Sequence, residues 1–239
     1  MSLRPDGRRP DQLRPVTLTR GFTDVAPGSV LVAAGRTRVL CTACFEPAVP
    51  EWLEGKGLGW LTAEYDMLPA STGQRRPRNR GGKIDGRTQE IQRLIGRCLR
   101  SVVDRGRMGE NTIWLDCDVI QADGGTRTAA VTGAYVALKD AVAWALSREL
   151  LRGDPVTGAI AAVSVGKVGG RIVLDLDYAE DSTAEVDFNV AMTAAGRFVE
   201  VQGSAENGTF DFDEMQQMVH AARRGIDQLL RIQQAAMGG

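Results

Sequence analysis

The apolar positions of this chain fall into two rhythms. Between residues 111 and 122, Ile113, Leu115, Cys117 and Val119 alternate with polar residues that include Asp116 and Asp118. A period of two puts alternate side chains on opposite faces of an extended chain, so this stretch is predicted to be a half-buried strand. Residues 30–33 and 38–45 flank Gly35 and read as a hairpin turning near 34–37; residues 59–65 are a further strand candidate. Over 88–103 the spacing changes. Ile91, Leu94, Ile95, Cys98, Leu99, Val102 and Val103 recur every three or four residues, the signature of an amphipathic helix, with Thr88 placed to cap it.

A second helix is predicted from Thr126 to about residue 151. After it, residues 160–165 and 171–176 surround Gly169-Gly170, and residues 188–193 and 198–203 surround Gly196, which gives two more hairpins. A last helix over 211–232 opens with Asp211 and Glu214 at capping-box spacing and carries Met215, Met218, Val219, Ala222, Ile226, Leu229 and Leu230 as its apolar stripe. Residues 233–239 are expected to fray. Neighbouring hairpins followed by helices, rather than strict βαβ alternation, predict an α+β fold with mixed sheets. Two halves of similar plan follow, residues 1–150 and 151–239.

Composition adds little: of 239 residues, 43% are hydrophobic and 25% charged, an ordinary globular balance. No uninterrupted apolar run approaches the roughly 18 residues of a membrane span. The start of the chain lacks the apolar core of a signal peptide, so a cytoplasmic protein with reduced thiols is expected. Cys41 and Cys44 form a C-x-x-C, but they sit in a predicted strand where residues three apart face opposite ways, so a structural role is expected.

Charge is balanced in total, 29 Lys+Arg against 30 Asp+Glu, but not in distribution. Arg75, Arg76, Arg78, Arg80 and Lys83 crowd a glycine-rich loop. A cationic loop without aromatic residues suits a phosphodiester backbone better than stacked bases. Asp175, Asp177, Glu180, Asp181, Glu185 and Asp187 cluster with no basic residue between them. Asp175 and Asp177 are expected on one face at the end of a strand. Such oxygen donors suit a hard cation like Mg²⁺, and the alternative is a solvated acidic turn.

Between these clusters lies Asp123-Gly124-Gly125-Thr126-Arg127-Thr128, a glycine turn leading from a strand into a helix. Backbone N–H groups at a helix start favour an anion, and Arg127 adds a fork suited to phosphate. Alone the segment is equally compatible with ordinary helix punctuation. Gly86-Arg87-Thr88 repeats the theme at a second helix start. The lone histidine, His220, falls beside an apolar stripe and reads as structural or surface, which disfavours a hydrolytic triad. A phosphate cradle, a polyanion loop and metal-type carboxylates together suggest inorganic phosphate attacking a phosphodiester.

Longer motifs carry a resemblance across nearly the whole chain. They are Arg4-Pro5-Asp6-Gly7-Arg8, Asp11 to Pro15, Gly86 to Arg97, Asp116 to Thr128, Leu174 to Tyr178 with Glu180-Asp181-Ser182, and Val199 to Gly203. In this order they resemble the ribonuclease PH family of phosphate-dependent 3′→5′ exoribonucleases and, more distantly, polynucleotide phosphorylase and exosome ring subunits. The resemblance implies a duplicated unit like the second domain of ribosomal protein S5, assembled as a homohexameric ring of three dimers. It implies a phosphorolytic nucleotidyltransferase that trims tRNA precursors, with rRNA as a further candidate substrate, Mg²⁺ as cofactor and inorganic phosphate as co-substrate. Arg87, Gly125, Thr126 and Arg127 match its phosphate-binding residues. Asp181 and Asp187 match its metal-binding and catalytic carboxylates, and Arg75, Arg76, Arg78 and Arg80 match its tRNA-contacting loop. Phe188 stands where the family often has Met, and the other motif residues are intact. A catalytically silent ring subunit and a metal-dependent hydrolytic nuclease are the rivals.

Overall fold

The computed structural model describes residue 4, residues 6–78 and residues 84–238; Arg80 and Lys83 lie outside them. The chain runs β1 (Val16–Arg20), β2 (Gly28–Ala34), β3 (Thr37–Glu46), β4 (Trp60–Met67), α1 (Gly86–Arg100), α2 (Arg105–Met108), β5 (Thr112–Gln121) and α3 (Thr126–Ser147). It continues with β6 (Ile160–Val168), β7 (Arg171–Leu174), α4 (Tyr178–Asp181), β8 (Val186–Thr193), β9 (Phe198–Ala205) and α5 (Phe212–Ala236). The first five strands form one sheet in the order β1-β2-β3-β5-β4, and the other four form a second in the order β7-β6-β8-β9. The first sheet is mixed because β4 runs parallel to β5. All pairings in the second are antiparallel.

The hydrophobic pattern explains the layers. In β5, Ile113, Leu115, Cys117 and Val119 are fully buried or nearly so, while Asp116 and Asp118 face the other side. Both α1 and α3 cover the buried face of the first sheet. The long helix α3 also packs on β6 of the second sheet, and it is buried around most of its circumference rather than along a stripe. By length and composition it could cross a membrane. Here it fills the space between two sheets, the expected setting for a helix apolar all round. The amphipathic α5 lies on β6, β7 and β8 with Met218, Ala222 and Ile226 inward. Its capping box is present, and Gln233 near its end donates to the carbonyls of Thr132 (2.9 Å) and Ile160 (3.0 Å). The helix therefore runs on past residue 232 to Ala236, against the expected fraying.

Cys41 is buried and Cys44 exposed, on opposite faces of β3 as the strand period requires. The edge strand β1 has no counterpart in the sequence prediction. Thr88 does not cap α1 either. Asp85 does, accepting from the Thr88 backbone N–H and hydroxyl, both at 2.9 Å.

Candidate active site

The turn from β5 into α3 builds the candidate anion cradle. Gly124 (φ +76°) and Gly125 (φ +65°) both occupy the left-handed region that side chains disfavour. Space reinforces the choice at Gly124, where a Cβ would lie 2.6 Å from the Leu176 carbonyl oxygen. The cradle turn is thus pressed against the backbone of the acidic segment. Gly125 is the N-cap of α3 and supplies no capping side chain. The nearby hydroxyls are committed elsewhere: Thr128 donates to the Gly125 carbonyl (3.0 Å), and Thr126 pairs with Tyr65 Oη (2.9 Å). The start of α3 is therefore left open to an external anion.

The start of α1 differs. The Asp85 carboxylate already occupies it, so α1 contributes the exposed Arg87 side chain rather than a second open helix terminus. Arg127 Nη1 bonds Gln202 Oε1 at 2.9 Å and lies 3.2 Å from Glu90 Oε2. These contacts hold its guanidinium from two sides. Arg87 and Arg127 act electrostatically on the same three groups, Tyr65, Asp181 and Asp187. That shared field brings the sequence-predicted phosphate residues and catalytic carboxylates into one neighbourhood.

Asp181 ends the short helix α4, and Asp187 lies on β8. Loss of water raises the pKa of both above the ordinary carboxylate value. For Asp187 the nearby Asp181 adds to the rise, while Arg127, the Asn189 amide and Arg87 oppose it. Asn189 Nδ2 donates to both Asp187 oxygens at 3.1 Å. Neither Asp181 nor Asp187 forms an ion pair among the described residues. No cluster of three or more His, Cys, Asp or Glu suited to a metal occurs among them either. Two carboxylates fit Mg²⁺ nonetheless, because that ion keeps several waters and shares its shell with substrate phosphates.

The rest of the acidic segment departs from expectation. Strand β7 stops at Leu174, so Asp175 and Asp177 do not share a strand face. Asp177 caps α4 in a capping box with Glu180. Asp175 takes φ +56°, a conformation Asp tolerates better than most residues, and is buried. Its carboxylate accepts from Arg14 Nε (3.1 Å), Nη2 (2.7 Å) and backbone N–H (2.7 Å). Buried Glu180 is bound by Arg4 and approached by Arg8 Nη2 at 3.5 Å. The cations missing from the local sequence come from the N-terminal arginines. Asp175, Asp177 and Glu180 are structural, Glu185 accepts from the Gly170 N–H (2.7 Å) and lies 3.7 Å from Lys167 Nζ, and Asp181 and Asp187 are left as the candidates for chemistry.

Among the loop arginines, Arg75 and Arg78 are exposed. Arg76 is half-buried, with Nη2 3.7 Å from the α1-capping Asp85, which ties the loop to the helix that carries Arg87. His220 sits exposed on α5 with Nδ1 bonded to the Gln216 carbonyl (2.7 Å). Sequence reasoning missed Asn189, Gln202, Glu90 and Tyr65. The pairing of Asn189 with Gln202 across β8 and β9 is what puts both amides beside the site.

Residues 12–143 match the model of the 3′ exoribonuclease family, domain 1, and residues 158–225 match that of its domain 2. The chain belongs to the 3′ exoribonuclease family. Two solved structures share its fold along nearly the full length. An Archaeoglobus fulgidus exosome chain, described with RNA bound to the active site, aligns with a TM-score of 0.83 at 21% identity, over 96% of this chain and 92% of that one. Rice (Oryza sativa) Rrp46 aligns with a TM-score of 0.78 at 19% identity, over 97% and 98%. The α+β architecture with two sheets is therefore that of the 3′ exoribonuclease family.

Proposed function

We propose that this protein is a phosphate-dependent 3′→5′ exoribonuclease of the ribonuclease PH type, acting on tRNA precursors, with rRNA as a further candidate substrate. The observation that carries the reading is the open start of α3, which has Arg127 in its first turn and Arg87, Asp181 and Asp187 within electrostatic reach of one another. Two arginines and a free helix terminus suit a phosphate ion held as nucleophile. A hydrolytic nuclease has no need of a second anion site.

In this reading the cradle of Gly125, Thr126 and Arg127, with Arg87, holds inorganic phosphate in line with the last phosphodiester. A phosphate oxygen bonds to the phosphorus of the terminal nucleotide as the bond to the preceding 3′-oxygen breaks. A nucleoside 5′-diphosphate leaves, and the shortened RNA keeps a 3′-hydroxyl. That oxygen needs a proton, which one of the two carboxylates would supply, Asp181 being the candidate. Asp187, held by Asn189, keeps the geometry of the pair. Mg²⁺ near Asp181 and Asp187 would neutralise charge on the phosphates. Arg75, Arg76, Arg78 and Arg80 grip the RNA backbone. The assembly proposed with this activity is a homohexamer of three dimers.

The test is incubation of the purified protein with 3′-extended tRNA and Mg²⁺, with and without phosphate. Phosphate-dependent release of nucleoside diphosphates is expected. Monophosphates released without phosphate would make it a hydrolase, and no release would make it a binding subunit.

A further inference from the structure

The cradle and the acidic segment belong to different halves of the chain, yet phosphorolysis needs them at a fixed separation. One side chain touches both. Arg14 is buried, and its guanidinium lies between the two loops. On one side Nε and Nη2 bond the Asp175 carboxylate. On the other, Nη1 donates to the Asp123 carbonyl at 2.5 Å, and both Nη1 and Nη2 lie 3.4 Å from the Gly124 carbonyl. A Cβ on Gly125 would come within 2.9 Å of Arg14 Nη2, so the cradle is moulded onto this side chain. Gly35 at the β2–β3 turn is moulded onto its stem, where a Cβ would lie 2.6 Å from Arg14 Cδ. Thr37 Oγ1 completes the support by donating to the Gly124 carbonyl (2.7 Å) and accepting from the Asp123 N–H (3.0 Å).

We infer that Arg14, clamped by Asp175, is a positioning residue that sets the phosphate cradle against the Asp181/Asp187 pair; this rests on the phosphorolytic reading above. Only a planar fork with donors on several edges can span the two loops. A lysine in its place keeps the charge but offers one point of attachment. The neighbouring Arg4 supplies the control. It is just as buried and grips the same acidic segment through Glu180 and the carbonyls of Leu174 and Asp175. None of its bonds reaches the cradle.

The experiment compares Arg14→Lys with Arg4→Lys in the full chain. It reads thermal stability, the KM for phosphate, the KM for RNA, and the rise in Tm that inorganic phosphate causes without RNA. Both variants should lose stability. Arg14→Lys should also raise the phosphate KM about tenfold or more and shrink the phosphate-induced Tm rise, since a misplacement near 1 Å has effects of that order. The RNA KM should stay within about twofold, and Arg4→Lys should leave both phosphate readouts as in the wild type. If Arg14→Lys fails to fold, Asp175→Asn, which suits φ +56° but weakens the clamp, should give the same phosphate-specific signature. Equal phosphate KM in the two lysine variants at equal stability loss would reduce Arg14 to a structural residue and overturn the inference. A wild type with no phosphate dependence and no phosphate-induced Tm rise would instead remove the proposed function, and the positioning role with it.

Discussion

Asp175 and Glu180 sit within a dozen residues of Asp181 and Asp187, but the two pairs are treated oppositely. The first pair is buried and surrounded by Arg4, Arg8 and Arg14, with nearly every oxygen bonded. The second pair is partly desolvated, pushed up in pKa, and without an ion pair among the described residues. One acidic run thus contains a closed electrostatic unit and an open one. The closed unit fixes where the loop goes, and the open unit is what the loop presents. Unsatisfied charge next to satisfied charge of the same sign is the mark by which chemistry can be told from scaffold here.

Breaking the closed unit should have the largest effect. Glu180→Ala strands the buried Arg4, so a loss of about 3–5 kcal/mol in unfolding free energy is expected by denaturant titration. Next, Arg127→Ala removes half of the charged grip proposed for phosphate. It should lower kcat/KM at fixed phosphate by roughly 100-fold or more while RNA binding, measured by filter retention, changes little. Asp187→Asn should separate the two units by sign, abolishing turnover but raising Tm at neutral pH. Because the folded pKa of Asp187 is raised, the native state holds the proton more tightly than the unfolded state. Stability therefore falls as pH climbs from the ordinary carboxylate value through the raised one, and an uncharged side chain avoids that loss. The gain should vanish in acid; a Tm drop at pH 7 would show that the charge is needed by the fold. Replacing Arg75 and Arg78 with alanine should weaken RNA binding and flatten its log–log salt dependence by about one unit per lost phosphate contact. The smallest effect is expected at Asp116, on the outer face of β5. Burial raises its pKa, and Glu64 and Asp118 beside it add to the rise. Asp116→Asn should raise Tm slightly with no change in turnover.

What was legible in the sequence followed from local periodicity. The alternation in β5, the stripe of α1 and the capping box of α5 lie where the pattern put them. The missed strand β1, Val-Thr-Leu-Thr-Arg, has a weak pattern because it is an edge strand with little burial. The misjudged residues were Asp175 and Asp177, whose apparent lack of counter-charge was a property of the window. Asp175 finds its cation in Arg14, 161 residues away, beyond any local rule, whereas Asp177 is a local helix cap paired with Glu180 three residues on. At the site, charged residues inside long motifs could be read from sequence, whereas Asn189 and Gln202 are uncharged amides whose relevance comes from strand register alone.

The span of the Arg14–Asp175 contact, 161 residues, also has a meaning in time. During synthesis Arg14 leaves the ribosome long before its clamp exists. At about 5–20 residues per second, some 8–30 s pass before Asp175 is polymerised. Until then the cradle has no fixed floor and no carboxylate pair facing it. On the proposed function, a nascent chain therefore emerges as a first half without its carboxylate pair, still tethered to an RNA message with a 3′ end of its own, and its candidate site is complete only when the second half arrives.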